Sequence, residues 1–169
     1  TVSFTEILNA GGTWNRVRST EGRNAGTMAV AAPGREFSDL ARNLTGAATT
    51  VQVLSTATEE FRDFNSCVVT LDTPVGTGTT PTLNAYIQVS GNAGNQFTDR
   101  ISFAQATTTA LRQEASITSG GMPVTTYTDG TLAAATVRDG TFPGRLRVKY
   151  VVTGTTPVFN PVNTYVVCK

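Results

Sequence analysis

Apolar and polar residues alternate over most of the chain, and the alternation stops at clusters of Gly, Pro and Asn. Residues 1–8 alternate loosely, with Val2 and Phe4 on one face. The Asn9-Ala10-Gly11-Gly12 turn then leads into Thr13-Trp14-Asn15-Arg16-Val17-Arg18, which predicts an N-terminal hairpin. A second turn at Asn24-Ala25-Gly26 and a third strand over 27–32 follow, ended by Pro33-Gly34. The period changes next. Phe37, Leu40, Ala41 and Leu44 fall at i, i+3, i+4 and i+7, which predicts a short amphipathic helix or helical turn over 35–44.

Period two returns over 49–55, where Val51 and Val53 oppose Thr50 and Gln52. A polar turn at 59–63 precedes the strongest strand, 64–72, centred on Cys67-Val68-Val69-Thr70-Leu71 and stopped by Pro74. A Gly/Thr loop over 75–81, a strand over 83–90, a turn at 91–95 and a strand over 97–104 come next. Residues 107–117 predict a helix: Thr107 or Thr108 caps it, Ala110, Leu111 and Glu114 favour it, and Gly120-Gly121 stops it. Beyond it, 124–128, 132–137, 145–153 and 164–168 read as strands. The expected fold is mainly β (α+β): one antiparallel domain over 1–169 with an N-terminal hairpin and one or two short helices.

Composition narrows the function. The chain has 169 residues, 39% hydrophobic and 15% charged, so it builds one core and is neither a charged tail nor a coiled coil. It holds 31 Thr and 16 Gly, which suits pleated strands and their turns. Histidine is absent, which removes His-based triads, His-ligated zinc and an imidazole switch. No metal or cofactor is expected. Net charge is +1, so no global field points to a polyanion, although Arg outnumbers Lys 11 to 2. No apolar stretch approaches the length of a membrane-spanning helix, and no membrane partner is expected. Thr1 in place of Met fits either a trimmed initiator Met or a cleaved signal peptide.

Few residues carry candidate chemistry. Cys67 and Cys168 form a disulfide, within the chain or between subunits, in an oxidising compartment, and are small buried hydrophobes in a reducing one. Glu59, Glu60 and Asp63 sit in a turn, and Asp129 and Asp139 each precede Gly, which is ordinary turn chemistry. Gly76-Thr77-Gly78 lacks the Lys-Ser/Thr of a phosphate loop, and the Asn43-Leu44-Thr45 sequon falls at a helix end and is discounted. The sharpest signal is Arg145-Leu146-Arg147-Val148-Lys149-Tyr150. As a strand it places Arg145, Arg147 and Lys149 on one face, about 7 Å apart, near the spacing of phosphates. The plainer reading is a solvated edge strand. Over 83–90, Asn84, Tyr86, Gln88 and Ser90 share a face on which a Tyr among amides could stack an unpaired base.

The order of these pieces resembles the coat proteins of small single-stranded RNA bacteriophages, the levivirus group. The matching residues are Phe4-Thr5-Glu6 and Gly11-Gly12-Thr13 in the hairpin, then Ala29-Val30-Ala31-Ala32-Pro33. Thr50-Val51-Gln52-Val53, Cys67-Val68-Val69-Thr70-Leu71-Asp72-Thr73-Pro74, Thr80-Pro81, Ala85-Tyr86-Ile87-Gln88-Val89 and the Thr-initiated segment 107–117 complete the match. The resemblance covers about residues 1–118. It leaves 119–169 as a β-rich C-terminal extension, and the second C-terminal helix of the family is not evident. It implies a hairpin, a five-stranded sheet and clasping helices, with the inner sheet face toward RNA. By position that face would carry Gln52, Ser66, Thr70, Tyr86 and Gln88; Arg145, Arg147 and Lys149 add charge only where the extension joins it.

Three readings follow. The first is a non-enzymatic coat subunit of a virion that dimerises by completing an extended antiparallel sheet, then closes as a homo-oligomeric shell around single-stranded RNA. The second is a secreted, cell-surface β-sandwich: a fibre subunit, an adhesin, or a carbohydrate-binding module presenting Trp14 or Tyr127. An enzyme is the third, with no fingerprint to support it. An intrachain disulfide favours secretion; free thiols or inter-subunit bridges favour the coat.

Overall fold

A computed structural model describes residues 3–8, 14–19, 35–54, 64–90, 96–121, 124–140 and 144–169, the first two segments as backbone only. Ten strands follow one another: β1 (Ser3–Leu8), β2 (Trp14–Ser19), β3 (Arg35–Thr45), β4 (Ala48–Val53), β5 (Ser66–Thr73), β6 (Thr77–Ser90), β7 (Thr98–Ser102), β8 (Leu111–Thr118), β9 (Thr136–Val137) and β10 (Arg145–Cys168). The chain divides into two compact units, Thr1–Ala31 and Ala32–Lys169. In the first, β1 and β2 pair antiparallel from Ser3↔Ser19 to Leu8↔Trp14, the hairpin that the Gly-Gly turn predicts. The third strand over 27–32 and the turns at 24–26, 59–63 and 91–95 lie outside the described residues.

The second unit is an antiparallel sheet organised around β10, a strand of 24 residues. On one side β10 pairs first with β4 and then with β3; on the other it pairs with β6 and then with β5. β8 extends the sheet from β5, while β7 and β9 extend it from β6. The strand cannot be straight. Tyr150 and Thr164 lie 14 residues apart, about 46 Å along an extended strand. Yet the Tyr150 hydroxyl hydrogen-bonds Thr164 Oγ1 at 2.8 Å. β10 therefore folds back on itself, and its two halves lie in facing layers. One layer is β3, the C-terminal half of β10, β5 and β8; the other is β4, the N-terminal half of β10, β6, β7 and β9.

The corner has local causes. The ladder between β10 and β6 shifts register between Thr153 and Thr155 and again between Thr155 and Val158. Gly154 has φ +122°, and a Cβ there would meet Thr80 O at 2.7 Å. Gly78, on the partner strand, has φ +106°, and its Cβ would meet Thr156 O at 2.5 Å. Glycine supplies both the backbone angle and the close approach.

Between the layers lies one core. Cys67, Val69, Ile117, Phe159, Val162 and Val166 come from one side; Leu83, Ile87, Val89, Leu146, Val148 and Tyr150 from the other. Alternation along Arg145–Val152 buries Leu146, Val148, Tyr150 and Val152 and turns Arg145, Arg147, Lys149 and Val151 outward. A polar strut crosses the core. Besides bonding Thr164, the Tyr150 hydroxyl donates to Asp39 Oδ2 at 3.0 Å. Arg42 Nη2 donates to Asp39 Oδ1 at 2.7 Å and also reaches Gln52 Oε1. Burial pushes the Tyr150 hydroxyl well above its ordinary value, and the nearby Asp39 charge adds to this. Cys67 and Cys168 sit opposite one another in the β5–β10 ladder and form a fully buried disulfide within the chain.

Among the described residues there is no helix, which corrects both helical expectations. Residues 35–44 belong to β3. Asp39 pairs with Thr164 and Arg42 with Val162, so β3 carries an extra residue there, and Ala41 has φ +53°. The core-facing positions are Phe37 and Asp39, then Arg42 and Leu44, while Leu40 is exposed. A period of two broken by a bulge imitates a helical spacing. Residues 111–118 form β8, whose residues Leu111, Gln113, Ala115 and Ile117 face inward. Pairing with β5 overrides the helix preference of Ala110, Leu111 and Glu114. The expected loop over 75–81 enters β6 at Thr77, and the expected strands over 145–153 and 164–168 are one strand. Of the strands expected over 124–128 and 132–137, only β9 forms.

The corner makes a quantitative prediction. Gly154→Ala should destabilise the protein by at least about 2 kcal/mol in urea unfolding, since strain and a backbone clash combine. Gly46→Ala is the control: φ is +73° but nothing lies within 4 Å. Its cost should stay near about 1 kcal/mol, that of the left-handed backbone alone.

Candidate binding surface

The outward face of the layer holding the N-terminal half of β10 gathers most of the candidate residues. Register places Arg147 opposite Gln88, and Lys149 opposite Tyr86. On the far side, β6 pairs with β7, which sets Gln88 opposite Asp99 and Tyr86 opposite Ser102. The C-terminal segment thus joins the very face that carries Tyr86 and Gln88. Arg145 begins the same row, half-buried, opposite Ser90. On the other flank of β10, Val53 and Val51 stand beside Arg147 and Lys149 and are exposed.

This face is covered. Residues 124–132 cross it as a loop, tied down by Asp99. The Asp99 carboxylate accepts the backbone N–H of Gly130 at 2.9 Å and of Thr131 and Leu132 at 3.1 Å. Those N–H groups go to a carboxylate instead of a neighbouring strand, which is why the alternation over 124–137 yields so little sheet. Asp99 takes a fourth bond from Gln88 Nε2 at 2.6 Å. Gln88 Nε2 also donates to Asp129 Oδ1 at 2.9 Å, and Gln88 Oε1 accepts Arg147 Nε at 2.7 Å.

Asp129 closes the network from above. Its Oδ1 lies 2.9 Å from Lys149 Nζ and 3.3 Å from Arg147 Nη2. Burial by itself would push the Asp129 carboxyl up. Hydrogen bonds from Lys149 and Gln88 and the charges of Lys149 and Arg147 outweigh it and hold the group below its usual range. The Arg147 guanidinium also stacks 4.0 Å from the Phe97 ring centroid. Beneath the loop Tyr86, Phe97 and Gln88 are buried, and so is Leu132 at the loop's own end. Burial, and then the Asp99 charge, raise the Tyr86 hydroxyl above its ordinary value, partly opposed by a hydrogen bond with Ser102.

Two cations and two carboxylates therefore balance within one hydrogen-bonded cluster. Its geometry makes a clamp that fixes a loop to a sheet. The loop exposes Val124 completely, Tyr127 by 55%, and the hydroxyl-bearing Thr125 and Thr126 beside them. A rigid sheet presenting an exposed apolar loop tip is an arrangement suited to recognition.

The remaining candidates lie elsewhere. Gln52 is on β4 opposite Val148, facing inward, where Arg42 engages it. Thr70 is on the outward face of the other layer, between Tyr165 and Glu114, with Ser66 further along β5. Tyr86 and Gln88 are 7% and 0% exposed, so neither presents a surface on which a base could stack. Sequence reasoning missed Phe97 and Asp99. It found Asp129 only as a turn residue, a role it keeps, since Gly130 follows with φ +78°. No protein family, no curated protein and no solved structure matches the chain.

Two outcomes test the clamp. Asp99→Ala strands three backbone N–H groups and should cost roughly 2–4 kcal/mol, with amide exchange accelerated first at residues 130–132. Because the Asp129 carboxyl is held low, its contribution is complete above the ordinary carboxylate range and is lost as pH falls through the depressed value. Protection factors at residues 130–132, measured against the intrinsic exchange rate at each pH, should therefore fall at acid pH in the parent and fall less in Asp129→Asn.

Proposed function

We propose that the chain is a non-enzymatic β-sandwich module that works outside the reducing cytosol, as a fibre subunit or adhesin. The carrying observation is the buried intrachain disulfide between Cys67 and Cys168. It ties the end of the central strand to its neighbour, and such bonds persist in oxidising compartments. The same reading makes use of the anchored loop: Tyr127 offers a ring flanked by threonine hydroxyls, a combination suited to a carbohydrate or another polar surface with an apolar face. The charged cluster holds the adjoining residues 128–132 to the sheet without itself needing a ligand.

A shell-forming coat subunit around single-stranded RNA is the second reading, and it would use the regular sheet edge at β8 to pair with another copy. In that reading phosphates compete with Asp129 for Arg147 and Lys149, so RNA affinity is modest and falls with salt.

Thiol titration of the protein from its native source, unfolded without reductant, tests the first reading. The expected result is no reactive thiol per chain and a loss of about 2–5 kcal/mol on reduction, as for a crosslink closing a loop near 100 residues. Two free thiols per chain would overturn it. A glycan array adds the surface: Tyr127→Ala should lose binding while unfolding at the parent's denaturant midpoint. Closed particles with a nucleic-acid-rich 260/280 nm absorbance ratio would favour the coat.

A further inference from the structure

The edges of the second unit differ. β9 is two residues long, and β3 is interrupted by the bulge at Ala41. β4 runs for six residues. β8 keeps eight residues in unbroken register with β5, with no Pro and no bulge. An edge so regular is a template for pairing unless something blunts it.

The direction of its backbone groups follows from the ladder. Ser66 and Lys169 exchange both backbone hydrogen bonds, at 3.1 and 2.8 Å, so Ser66 points its N–H and C=O toward β10. Directions alternate along an antiparallel strand. Cys67, Val69, Leu71 and Thr73 therefore point toward β8 and meet Ile117, Ala115, Gln113 and Leu111. Arg112, Glu114 and Ser116 point their backbone groups away from the sheet. Thr118 shows the same direction: its N–H donates to Asp139 Oδ1 at 2.8 Å, and its carbonyl accepts Gly140 N–H at 3.1 Å. That cap closes the edge at its C-terminal end and, among the described residues, leaves 112–116 as the open stretch.

We propose that β8 pairs antiparallel with β8 of a second copy, in the register that sets Arg112 opposite Glu114 of the partner subunit. The axis passes between the two Gln113 residues. Each of the two Arg112–Glu114 pairs then exchanges two backbone hydrogen bonds. The two four-stranded layers join as one eight-stranded layer with a shared outward face. Charge selects the register. Arg112 and Glu114 both project from that face and are exposed. Centring the pairing on residue 114 would set Glu against Glu, and centring it on 112 would set Arg against Arg, both unfavourable. Only the register centred on 113 makes two opposite-charge pairs. In it Arg112 also keeps Asp72, 3.3 Å away within its own chain. The inference holds for a fibre, an adhesin or a shell, and does not rest on the disulfide.

Sedimentation velocity of the full, oxidised chain tests it. The parent should sediment as a dimer of the 17.8 kDa chain at micromolar concentration. Arg112→Glu and Glu114→Arg should each weaken self-association roughly 10- to 100-fold, since each turns two attractive pairs into repulsive ones. Mixing the two variants should restore a heterodimer, and so should combining both changes in one chain. Restoration by the combined change separates this register from one centred on 114, which would still oppose like charges. Glu114→Pro removes an outward N–H without touching the β5 ladder, and should give a monomer with unchanged near-ultraviolet circular dichroism. A monomeric parent, a dimer indifferent to the single changes, or a combined variant that stays monomeric would overturn the proposal.

Discussion

The second unit depends on one strand serving two sheets. β10 is long enough to cross the molecule twice, and it does so by turning a corner at 153–161. Each half finds partners on both sides, so the C-terminal segment is the centre of the sheet. The corner works because the neighbouring strands yield at the same level: β5 gives way to β6 across 74–76, and β3 to β4 at Gly46. Gly46 N–H donates to Pro157 O at 2.9 Å, which ties the two turns together. A non-glycine residue at Gly78 or Gly154 would hold the strands apart where they must touch.

Two polar networks then fix what hydrophobic packing leaves free. Apolar side chains pull the layers together but do not specify how they align. Tyr150, Asp39, Thr164 and Arg42 join the layers through directional bonds. The buried Asp39 carboxylate is acceptable there because it meets a guanidinium and a hydroxyl. The second network does the same for the loop over 124–132. Asp99 is nearly inaccessible, and three backbone N–H groups with one amide surround it. The loop is thereby held to the sheet over residues 128–132.

This arrangement also bears on how a basic strand is read. Arg147 and Lys149 share a face as period two requires, but their charges are spent on Asp129 and on the Phe97 ring. A cation's availability depends on what stands above it, and here a loop carrying a carboxylate does.

The sequence by itself determined the β class, the N-terminal hairpin, the two faces of Arg145–Tyr150 and the turn role of Asp129. These are local properties: side-chain alternation has a fixed period, and Gly after Asp supplies the backbone angles of a turn. It also placed Arg147 with Lys149, and Tyr86 with Gln88, each pair on one face. Tertiary structure decided the rest. The helical spacing of Phe37, Leu40, Ala41 and Leu44 is a bulge in a strand, and a bulge is visible only against its partner β10. Residues 111–118 are a strand because β5 offers an edge to pair with, which outweighs their intrinsic preference. Cys67 meets Cys168 across 101 residues because the last strand lies beside β5. Asp99 joins Gln88 and the loop over 124–132 for the same kind of reason. Long-range pairing is set by the summed energy of whole strands, and no single stretch of sequence contains that sum.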